Sequence, residues 1–390
     1  MICINSMTGS EQSKAHERSH RIVLHYWGSR GGGSHVTLNL AKRLSSSSQN
    51  IEILLSLAQH NSEVEEFRRS GYRIIPFARP TLRDLWRKAW SLPRALSRHA
   101  GALAAFKPDA VIITMNSPFA WPFIRALQKR DLKVIYIAHD AEPHPGDYAA
   151  TWQRVTQDLL IRRADRVVTL SNSVTRRLAE RIPPSSPKTT MIPLEAVYPR
   201  KRAQLPARKA AGEPVRLLFY GRLLPYKGLD LMAEALKPLK DDPRWRLTLA
   251  GSGPLEQEVR SVFTGWPQVD LELGWISDQR ATQLLSSHHL LLCPYREASQ
   301  SGVIAEALSW AMPSLVMPTG ALPEQIGHGV AGIIAETGDA EGLGRALRSI
   351  LDQPSLLASL SHGAAKLLVE RQNKNEWIKL IEAMTCQDRQ

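Results

Sequence analysis

The sequence is poor in cysteine and contains no hydrophobic run long enough to cross a membrane. Its 390 residues include three cysteines, Cys3, Cys293 and Cys386, which lie far apart without metal-ligand spacing. We therefore expect reduced thiols in a cytoplasmic protein, not a disulfide framework or a zinc site. No apolar stretch reaches the roughly 18 residues of a membrane span. Met1–His20 lacks an apolar signal core, so we expect a disordered tail there.

Acidic residues are outnumbered by basic ones, 37 to 50, which gives a net charge of +13. An excess of this kind concerns binding partners and not the fold. Nucleic acid, an anionic membrane surface and phosphorylated substrates would each be attracted to it, and a generally basic surface accounts for it as well. The chain has no RNA- or DNA-binding motif and no repeat of aromatic and basic residues, so we expect no nucleic acid partner.

Short apolar runs alternate with longer segments of helical period, which predicts βαβ units and parallel sheets with helices on both faces. A length of 390 residues with 43% hydrophobic residues suits two globular domains. The stretch PRKRAQLPARKAAGEP, which starts at Pro199, is basic, contains three prolines and lacks an apolar period, as linkers do. Ligands of doubly wound folds bind outside the carboxyl ends of the strands, which places the site in the cleft between two facing sheets.

The predicted fold is therefore an α/β fold of two doubly wound Rossmann-like domains. The predicted strands are Arg21–His25, Ile51–Leu57, Ala110–Met115, Lys133–His139, Arg166–Leu170, Val215–Tyr220, Arg246–Ala250, Val269–Leu273, His289–Tyr295 and Ser314–Met317. We predict a disordered tail (1–20), a first domain (21–200), a linker (201–213), a second domain (214–370) and a C-terminal helix (371–390). In that helix Trp377, Ile378, Ile381 and Met384 share one face, which would pack back on the first domain.

Two glycine-containing loops follow predicted strands and precede predicted helices. The first, GGGS with Gly32 and Gly33, would let the backbone approach an anion at a helix N-terminus, although a tight turn has the same pattern. It is not the spacing of a nicotinamide-binding fingerprint. In the second, FYGRLLPYKGLD, Gly221 turns the chain, and Arg222 and Lys227 follow. These two cations could clamp a diphosphate, or they could be solvated surface charges.

Two further strand ends in the second half have glycine turns. LAGSGP contains Gly251, and LGWIS contains Trp275 and Ile276. Each turn would place backbone amides at a sheet edge, where a base or a phosphate could rest. Each could equally be a plain connection between a strand and a helix.

The densest cluster of polar groups lies in PYREASQSGVIAEAL, where a strand leads through a polar loop into a helix. Free amides at Ser301, Gly302 and Val303 would suit an anion. Glu306 could accept hydrogen bonds from the vicinal hydroxyls of a ribose. Its alternative role is a favourable placement near a helix N-terminus, which contributes about 0.3–1 kcal/mol.

From Val215 onward the sequence resembles the retaining glycosyltransferases of family 4, which have the GT-B fold of two Rossmann-like domains across a cleft. The matching segments, in order and spacing, are GRLLPYKG, LAGSGP, LGWIS, SQSGVIAEAL and GALPEQIGHGVAG. The first half is similar more loosely, through the triple-glycine loop, KPDAVI, AHD and ADRVVTLSNSV. The resemblance implies a hexosyltransferase that moves a sugar from a UDP-sugar or GDP-sugar donor to a glycan or lipid-linked acceptor, with no metal and no cofactor.

The resemblance also implies roles for individual residues. The expected catalytic residues are His139, Arg222, Lys227 and Glu297, and the expected donor-binding residues are Gly32, Gly33, Gly221, Arg222, Lys227, Gly251, Trp275, Ile276, Ser301, Gly302, Val303 and Glu306. Arg222 and Lys227 would hold the diphosphate, Glu306 the ribose, and the backbone near Trp275 the nucleobase. His139 would face the transferred sugar as a positioning group, or it could be a strand-end histidine with a structural hydrogen bond.

One motif departs from the family pattern. The family often has two glutamates eight positions apart that flank a glycine-aromatic-glycine turn, whereas Glu297 and Glu306 are nine apart and the turn reads ASQSG. Some members carry a similar Gln-Ser-Gly-Val loop, so we expect an active enzyme. Ser301 or a backbone amide could then replace Glu297 at the donor sugar.

The segment Leu82–His99 combines a helical stripe of leucine and tryptophan with surrounding arginine and lysine. That composition is typical of a helix that lies in a membrane interface, and also of an amphipathic helix that docks on its own domain. We expect Pro93 to kink or split the segment. A membrane role would suit a lipid-linked acceptor and a protein at the inner face of the cytoplasmic membrane.

Two other functions share the donor-binding features. A sugar-nucleotide epimerase of the GT-B fold would use the same donor half, and a non-catalytic nucleotide-sugar binding protein would tolerate the altered glutamate loop. Acceptor recognition is expected in first-domain loops such as Asn116–Phe119 and Glu142–Tyr148, which carry no readable pattern. We favour bacterial lipopolysaccharide or exopolysaccharide assembly as the setting.

Overall fold

The first domain is a seven-stranded parallel sheet with helices on both faces. The computed structural model describes residues 19–28, 31–47, 50–80, 89–142, 150–181, 189–198 and 212–386. The strand order is β3-β2-β1-β4-β5-β6-β7. The elements are β1 (His20–Tyr26), α1 (Gly32–Ser45), β2 (Ile51–Ala58), α2 (Val64–Arg69), β3 (Arg73–Phe77), α3 (Leu92–Ala104), β4 (Ala110–Ile113), α4 (Ala120–Gln128), β5 (Val134–Ala138), α5 (Ala150–Arg163), β6 (Arg166–Thr169), α6 (Asn172–Arg181) and β7 (Thr189–Met191).

The second domain repeats this architecture with six parallel strands in the order β10-β9-β8-β11-β12-β13. Short 3₁₀ turns occur at Ala89–Ser91, Leu194–Val197, Pro225–Lys227 and Lys237–Leu239. The elements are β8 (Val215–Tyr220), α7 (Leu229–Leu236), β9 (Trp245–Gly251), α8 (Glu256–Phe263), β10 (Val269–Leu273), α9 (Asp278–Ser287), β11 (Leu290–Cys293), α10 (Gly302–Ser309), β12 (Ser314–Val316), α11 (Leu322–Gln325), β13 (Gly332–Ile334), α12 (Ala340–Asp352), α13 (Leu356–Asn373) and α14 (Glu376–Cys386).

Two doubly wound parallel sheets confirm the predicted fold class. The central strands β4 and β11 are apolar and buried at every position because helices cover both faces of each sheet. The carboxyl ends of the parallel strands meet at one edge of each sheet, so the loops that follow β8, β9, β10 and β11 gather at the same edge. No helix in the described ranges is long and apolar enough to cross a bilayer.

The last helix, α14, returns to the first domain. Its apolar residues Trp377, Leu380, Ile381 and Met384 are buried in the hydrophobic cluster that also contains Leu40 of α1 and strand residues of the first sheet. The predicted limit of the second domain at residue 370 falls inside α13, which continues to Asn373.

Three predicted segments lie largely outside the described residues. They are residues 1–18 of the tail, residues 143–148 of the expected acceptor loop and residues 201–211 of the linker. The tail was predicted to include residue 20, but β1 begins there, because His20 pairs with Ile51 and its amide donates to the Asn50 carbonyl at 2.9 Å.

The predicted membrane segment is described only from residue 89 onward. Leu96 is buried in the core of the first domain and Leu92 packs against it, so this part of the segment docks on its own sheet. Pro93 lies in the first turn of α3. Pro93 does not kink α3, because proline at that position lacks only an amide that has no acceptor within the helix. The helix instead begins beside Pro93, after the turn Ala89–Ser91, which agrees with the other expected effect, a split of the segment.

Candidate functional site

Glycine backbones form the floor of the candidate site in the second domain. Gly221 and Gly251, at the ends of β8 and β9, have φ angles of 139° and 148°. A Cβ on Gly251 would lie 1.8 Å from the carbonyl oxygen of Gly221, so a side chain is excluded there. The Gly274 amide after β10 donates to the Gly251 carbonyl at 2.9 Å. Three of the predicted loops therefore pack backbone against backbone at one sheet edge.

Lys227, in the loop that follows β8, has an unusual setting for a lysine. Its Nζ is 3.6 Å from the ring centroid of Tyr295, at the end of a short turn that starts at Pro225. Burial lowers the pKa of Lys227 to about 7, the Cys293 thiol opposes this shift, and the nearby Arg222 guanidinium adds to it. Such an amine gains its charge readily when an anion arrives.

Arg222 lies on the loop that leads from β8 into this turn, and it is exposed. Its Nη2 is 3.2 Å from the Tyr226 hydroxyl, with which it forms a hydrogen bond. The structure thus brings the two predicted cations together at the carboxyl end of β8. A mobile ammonium and a planar guanidinium side by side are groups that suit a diphosphate.

The helix α10 begins at the end of the polar loop that follows β11. Ser301 caps it, and its hydroxyl accepts from the Ile304 amide at 3.3 Å. The amides of Gly302 and Val303 come next and have no acceptor within the helix, so they are available to an anion. Glu306 is half-buried near Tyr198 and Tyr220. Burial raises the pKa of both phenols, and the negative charge of Glu306 raises it further.

The structure corrects one part of the prediction for this loop. The Ser301 amide is not free, because it donates to Gln325 Oε1 at 2.6 Å. The Ser301 side chain is buried and occupied with capping the helix. Glu297, by contrast, is exposed at the start of the loop.

His139 connects the first domain to the same loop. Its Nε2 lies 2.7 Å from the Thr114 carbonyl, and its Nδ1 lies 3.3 Å from Gln300 Nε2. A carbonyl only accepts, so Nε2 carries the proton and Nδ1 accepts from Gln300. Burial lowers the pKa of His139, against smaller opposing effects of Asp140 and the Thr114 carbonyl, which favours this neutral form.

The glycine loop of the first domain is built around an aromatic ring. A Cβ on Gly33 would lie 2.4 Å from the Tyr26 ring, so packing alone requires glycine at this position. The Gly31 amide, at the N-terminus of α1, donates to Glu63 Oε1 at 3.1 Å. Gly32 is exposed and has open space at its Cβ position. Of the predicted pair, Gly32 is therefore the one accessible to a ligand.

The predicted nucleobase loop lies after β10. Trp275 is 65% exposed, whereas Ile276 packs against the core of the second domain. Ser277 caps α9 by accepting from the Arg280 amide at 3.2 Å. His35 of the first domain approaches the start of this helix, with its Nε2 3.9 Å from Asp278 Oδ1.

Several residues that meet at this site were missed by sequence reasoning. The Ser171 hydroxyl donates to the Ser299 carbonyl at 2.9 Å, and the Asn172 amide donates to the Glu324 carboxylate at 3.0 Å. Both bonds join the two domains. Glu324 falls within the matched segment GALPEQIGHGVAG, which was the only sequence signal for its position.

A metal site is a separate question. Among the described residues, no three histidine, cysteine, aspartate or glutamate side chains are grouped so as to hold a metal ion. The polar groups at the cleft include the cations Arg222 and Lys227, helix amides, the Glu306 carboxylate and the His139 imidazole. This set is suited to an anionic ligand that also carries hydroxyl groups.

Comparison with known proteins identifies the class. The family model described as glycosyl transferases group 1 matches residues 214–353, and the glycosyl transferase 4-like domain matches residues 31–195. The chain belongs to this glycosyltransferase family and has its GT-B fold. The family resemblance deduced from the sequence is confirmed.

Individual relatives are distant. The glycogen synthase of Mycobacterium tuberculosis is 25% identical over 293 residues, which cover 69% of this chain and 66% of that protein. A GDP-mannose:glycolipid 4-beta-D-mannosyltransferase of Xanthomonas campestris is 29% identical over 122 residues, 30% of this chain and 35% of that protein. The matched region spans between about a fifth and two thirds of the length of such curated relatives.

A solved structure shows the same fold. HepE of Anabaena, crystallised with UDP and glucose, has a TM-score of 0.68 and 16% sequence identity. The similarity covers 94% of this chain and 97% of that one. At this identity the similarity shows the fold alone.

Proposed function

We propose that the protein is a retaining, metal-independent glycosyltransferase that uses a nucleoside-diphosphate sugar. One observation carries this proposal: the partly neutral amine of Lys227, the Arg222 guanidinium and the free amides of α10 gather at the edge of the second sheet. His139 reaches the adjoining loop from the first domain. The donor would lie between these groups.

The chemistry follows from where charge develops. When the bond between the sugar and the diphosphate breaks, negative charge grows on the leaving phosphate oxygen. Arg222, Lys227 and the amides of Gly302 and Val303 would stabilise that charge in a closed cleft. Glu306 would accept hydrogen bonds from the ribose.

His139 would act as a positioning group for the transferred sugar. Because its Nε2 is committed to the Thr114 carbonyl, a sugar hydroxyl would have to donate to Nδ1 and displace Gln300. Gln300 Oε1 is buried and has no hydrogen-bond partner within the described residues. It offers a second acceptor for a sugar hydroxyl at the same place.

The acceptor side of the cleft would lie at the carboxyl end of β4. Asn116 Oδ1 and Ser117 Oγ are buried there without a hydrogen-bond partner in the described part of the chain. Both follow Thr114, whose carbonyl holds His139. We propose a glycan or lipid-linked acceptor at this position, in lipopolysaccharide or exopolysaccharide assembly.

The first test removes the predicted diphosphate ligands. Arg222→Ala and Lys227→Ala should each lower turnover by about 10²–10³, since each removes one group that stabilises the leaving oxygen. Turnover is measured as release of nucleoside diphosphate from UDP- and GDP-sugars. Lys240→Ala is the matched control, because Lys240 also lies over an aromatic ring, that of Trp266, but away from the cleft. Rates near wild type in both site variants would contradict the assignment.

A donor panel separates this proposal from its alternatives. Slow hydrolysis of one donor, with the anomeric configuration of the released sugar retained, supports the transferase. Conversion of the donor into its epimer would identify an epimerase, and binding without turnover would identify a non-catalytic binding protein.

A peripheral membrane surface forms a second part of the proposal. Trp90 is 71% and Trp152 is 57% exposed near the starts of α3 and α5, and α4 packs between these helices. Helices that follow parallel strands all begin at the cleft edge of the sheet. Arg94 lies over Trp90, with its Cζ 5.9 Å from the ring centroid. Exposed tryptophans beside arginines suit the headgroup region of an anionic bilayer.

A further inference from the structure

Gln325 holds the main chain of the donor loop. It is the last residue of α11 and is only 3% exposed. Its Oε1 accepts from the Ser301 amide at 2.6 Å, and its Nε2 donates to the Ser301 carbonyl at 3.2 Å. One side-chain amide thus satisfies both backbone groups of Ser301, as a neighbouring strand would.

A buried ion pair fixes the orientation of this amide. Gln325 Nε2 also donates to Glu195 Oε1 at 2.7 Å, and Glu195 is 1% exposed. The second carboxylate oxygen, Oε2, lies 3.0 Å from Nη1 of Arg371. If the Gln325 amide turned over, its oxygen would face the carboxylate and its nitrogen would face the Ser301 N–H. Both contacts would then be repulsive.

Arg371 fixes the backbone that carries Gln325. Its Nη1 donates to the Gln325 carbonyl at 2.8 Å, and its Nη2 donates to the Glu324 carbonyl at 2.6 Å. The three residues come from the turn Leu194–Val197, from α11 and from α13. The network therefore joins the end of the first domain, the donor side of the second and the helix before α14.

The residues on either side of Ser301 explain what this network positions. Ser299 and Gln300 bond to Ser171 and His139 of the first domain. Gly302 and Val303, the two residues after Ser301, carry the free amides of α10. The Ser301 backbone therefore fixes both the direction of these amides and the depth of the loop in the cleft.

We propose that Gln325 is a positioning residue for donor binding, oriented by the Glu195–Arg371 ion pair. It acts through the Ser301 backbone and does not touch the donor. The inference rests on the proposed function, because it assigns the loop to a nucleoside diphosphate. It adds that the affinity of this loop depends on a network shared by both domains.

The test uses Gln325→Met, which keeps the length of the side chain and removes its hydrogen bonds. Its matched control is Gln268→Met, since Gln268 is also buried in the second domain and donates to the Asp242 carbonyl away from the cleft. The measurements are the calorimetric Kd for UDP and for GDP, the donor KM and kcat, and deuterium uptake of peptides that contain the Ser301 amide. Gln325→Asn, which is too short to make both bonds, is the second variant if Gln325→Met does not fold.

The expected result is a Kd for the nucleoside diphosphate raised about tenfold or more in Gln325→Met, with faster exchange at Ser301 and a higher donor KM. Gln268→Met should lower the melting temperature about as much as Gln325→Met does. It should leave the Kd and the deuterium exchange at Ser301 unchanged. An unchanged Kd and unchanged deuterium exchange at Ser301 in a folded Gln325 variant would overturn this inference and leave the proposed function standing. Absence of UDP and GDP binding in the wild type would instead refute the proposed function.

Discussion

Lys227 places an amine against the face of Tyr295, where its charge depends on what lies beside it. Burial lowers the pKa of Lys227 to about 7; the Cys293 thiol opposes this shift, and the Arg222 guanidinium adds to it. A diphosphate would reverse this balance by bringing negative charge next to the amine. Binding of a diphosphate beside Lys227 should therefore be coupled to the uptake of a proton by its amine.

The pH dependence of donor binding follows with a definite sign. Binding should raise the pKa of Lys227, so the protein takes up a proton on binding when the pH lies between about 7 and this raised pKa. Affinity for a nucleoside diphosphate should then fall as the pH rises from 7 to 9, by up to about tenfold per pH unit. Calorimetry in buffers of different ionisation enthalpy at pH 8 measures the proton uptake directly.

The control for this prediction is Lys227→Arg, whose charge does not titrate in this range. The variant should bind with an affinity that changes little between pH 7 and 9. A wild-type protein with the same flat profile and no proton uptake would show that Lys227 does not contact the phosphates.

Elements were easier to predict than contacts. The apolar runs predicted the observed bounds of β8 and β10, and they placed the ends of β11 within two residues. A strand buried on both faces leaves a signal in its own sequence, and so does a glycine turn at a strand end. The order of these turns located the cleft edge of the second domain.

The contacts that shape the site leave no such local signal. Gln325 is 130 residues from Glu195 and 24 from Ser301 in the sequence, and His139 is 161 residues from Gln300. Gln325 meets Glu195, and Gln300 meets His139, only when the two domains pack together, whereas Ser301 meets Gln325 once the second domain has formed. The free amide expected at Ser301 was wrong for this reason, because its partner belongs to a later helix.

The helix α14 makes a prediction about stability. Trp377 is buried in the first domain's hydrophobic cluster, so Trp377→Ala should lower the free energy of unfolding by about 3–5 kcal/mol. Trp152→Ala removes the same side chain from an exposed position and should change it by less than about 0.5 kcal/mol. Chemical denaturation followed by circular dichroism measures both. Equal, small effects would mean that α14 is not part of the first domain's core.

The whole molecule carries a net charge of +13. The exposed Trp90 and Trp152 indicate which part of its surface would contact an anionic membrane. The wild-type protein should float with vesicles that contain anionic lipid at low salt. It should dissociate from them at high salt, because salt screens the electrostatic attraction. The double variant Trp90→Ala/Trp152→Ala should float several-fold less.

Trp275→Ala controls for the loss of an exposed tryptophan as such, since Trp275 lies on the second domain. It should float like the wild type. A wild-type protein that stays in the unbound fraction at low salt would remove the membrane surface from the proposal.

The return of α14 to the first domain has a consequence for synthesis in the cell. The first domain leaves the ribosome roughly 180 residues before the helix that completes its core, a delay of about 10–40 seconds at usual translation rates. During that time an apolar face that α14 later covers is open to solvent and to chaperones. The two domains therefore reach their final state together, although each sheet is continuous in the sequence.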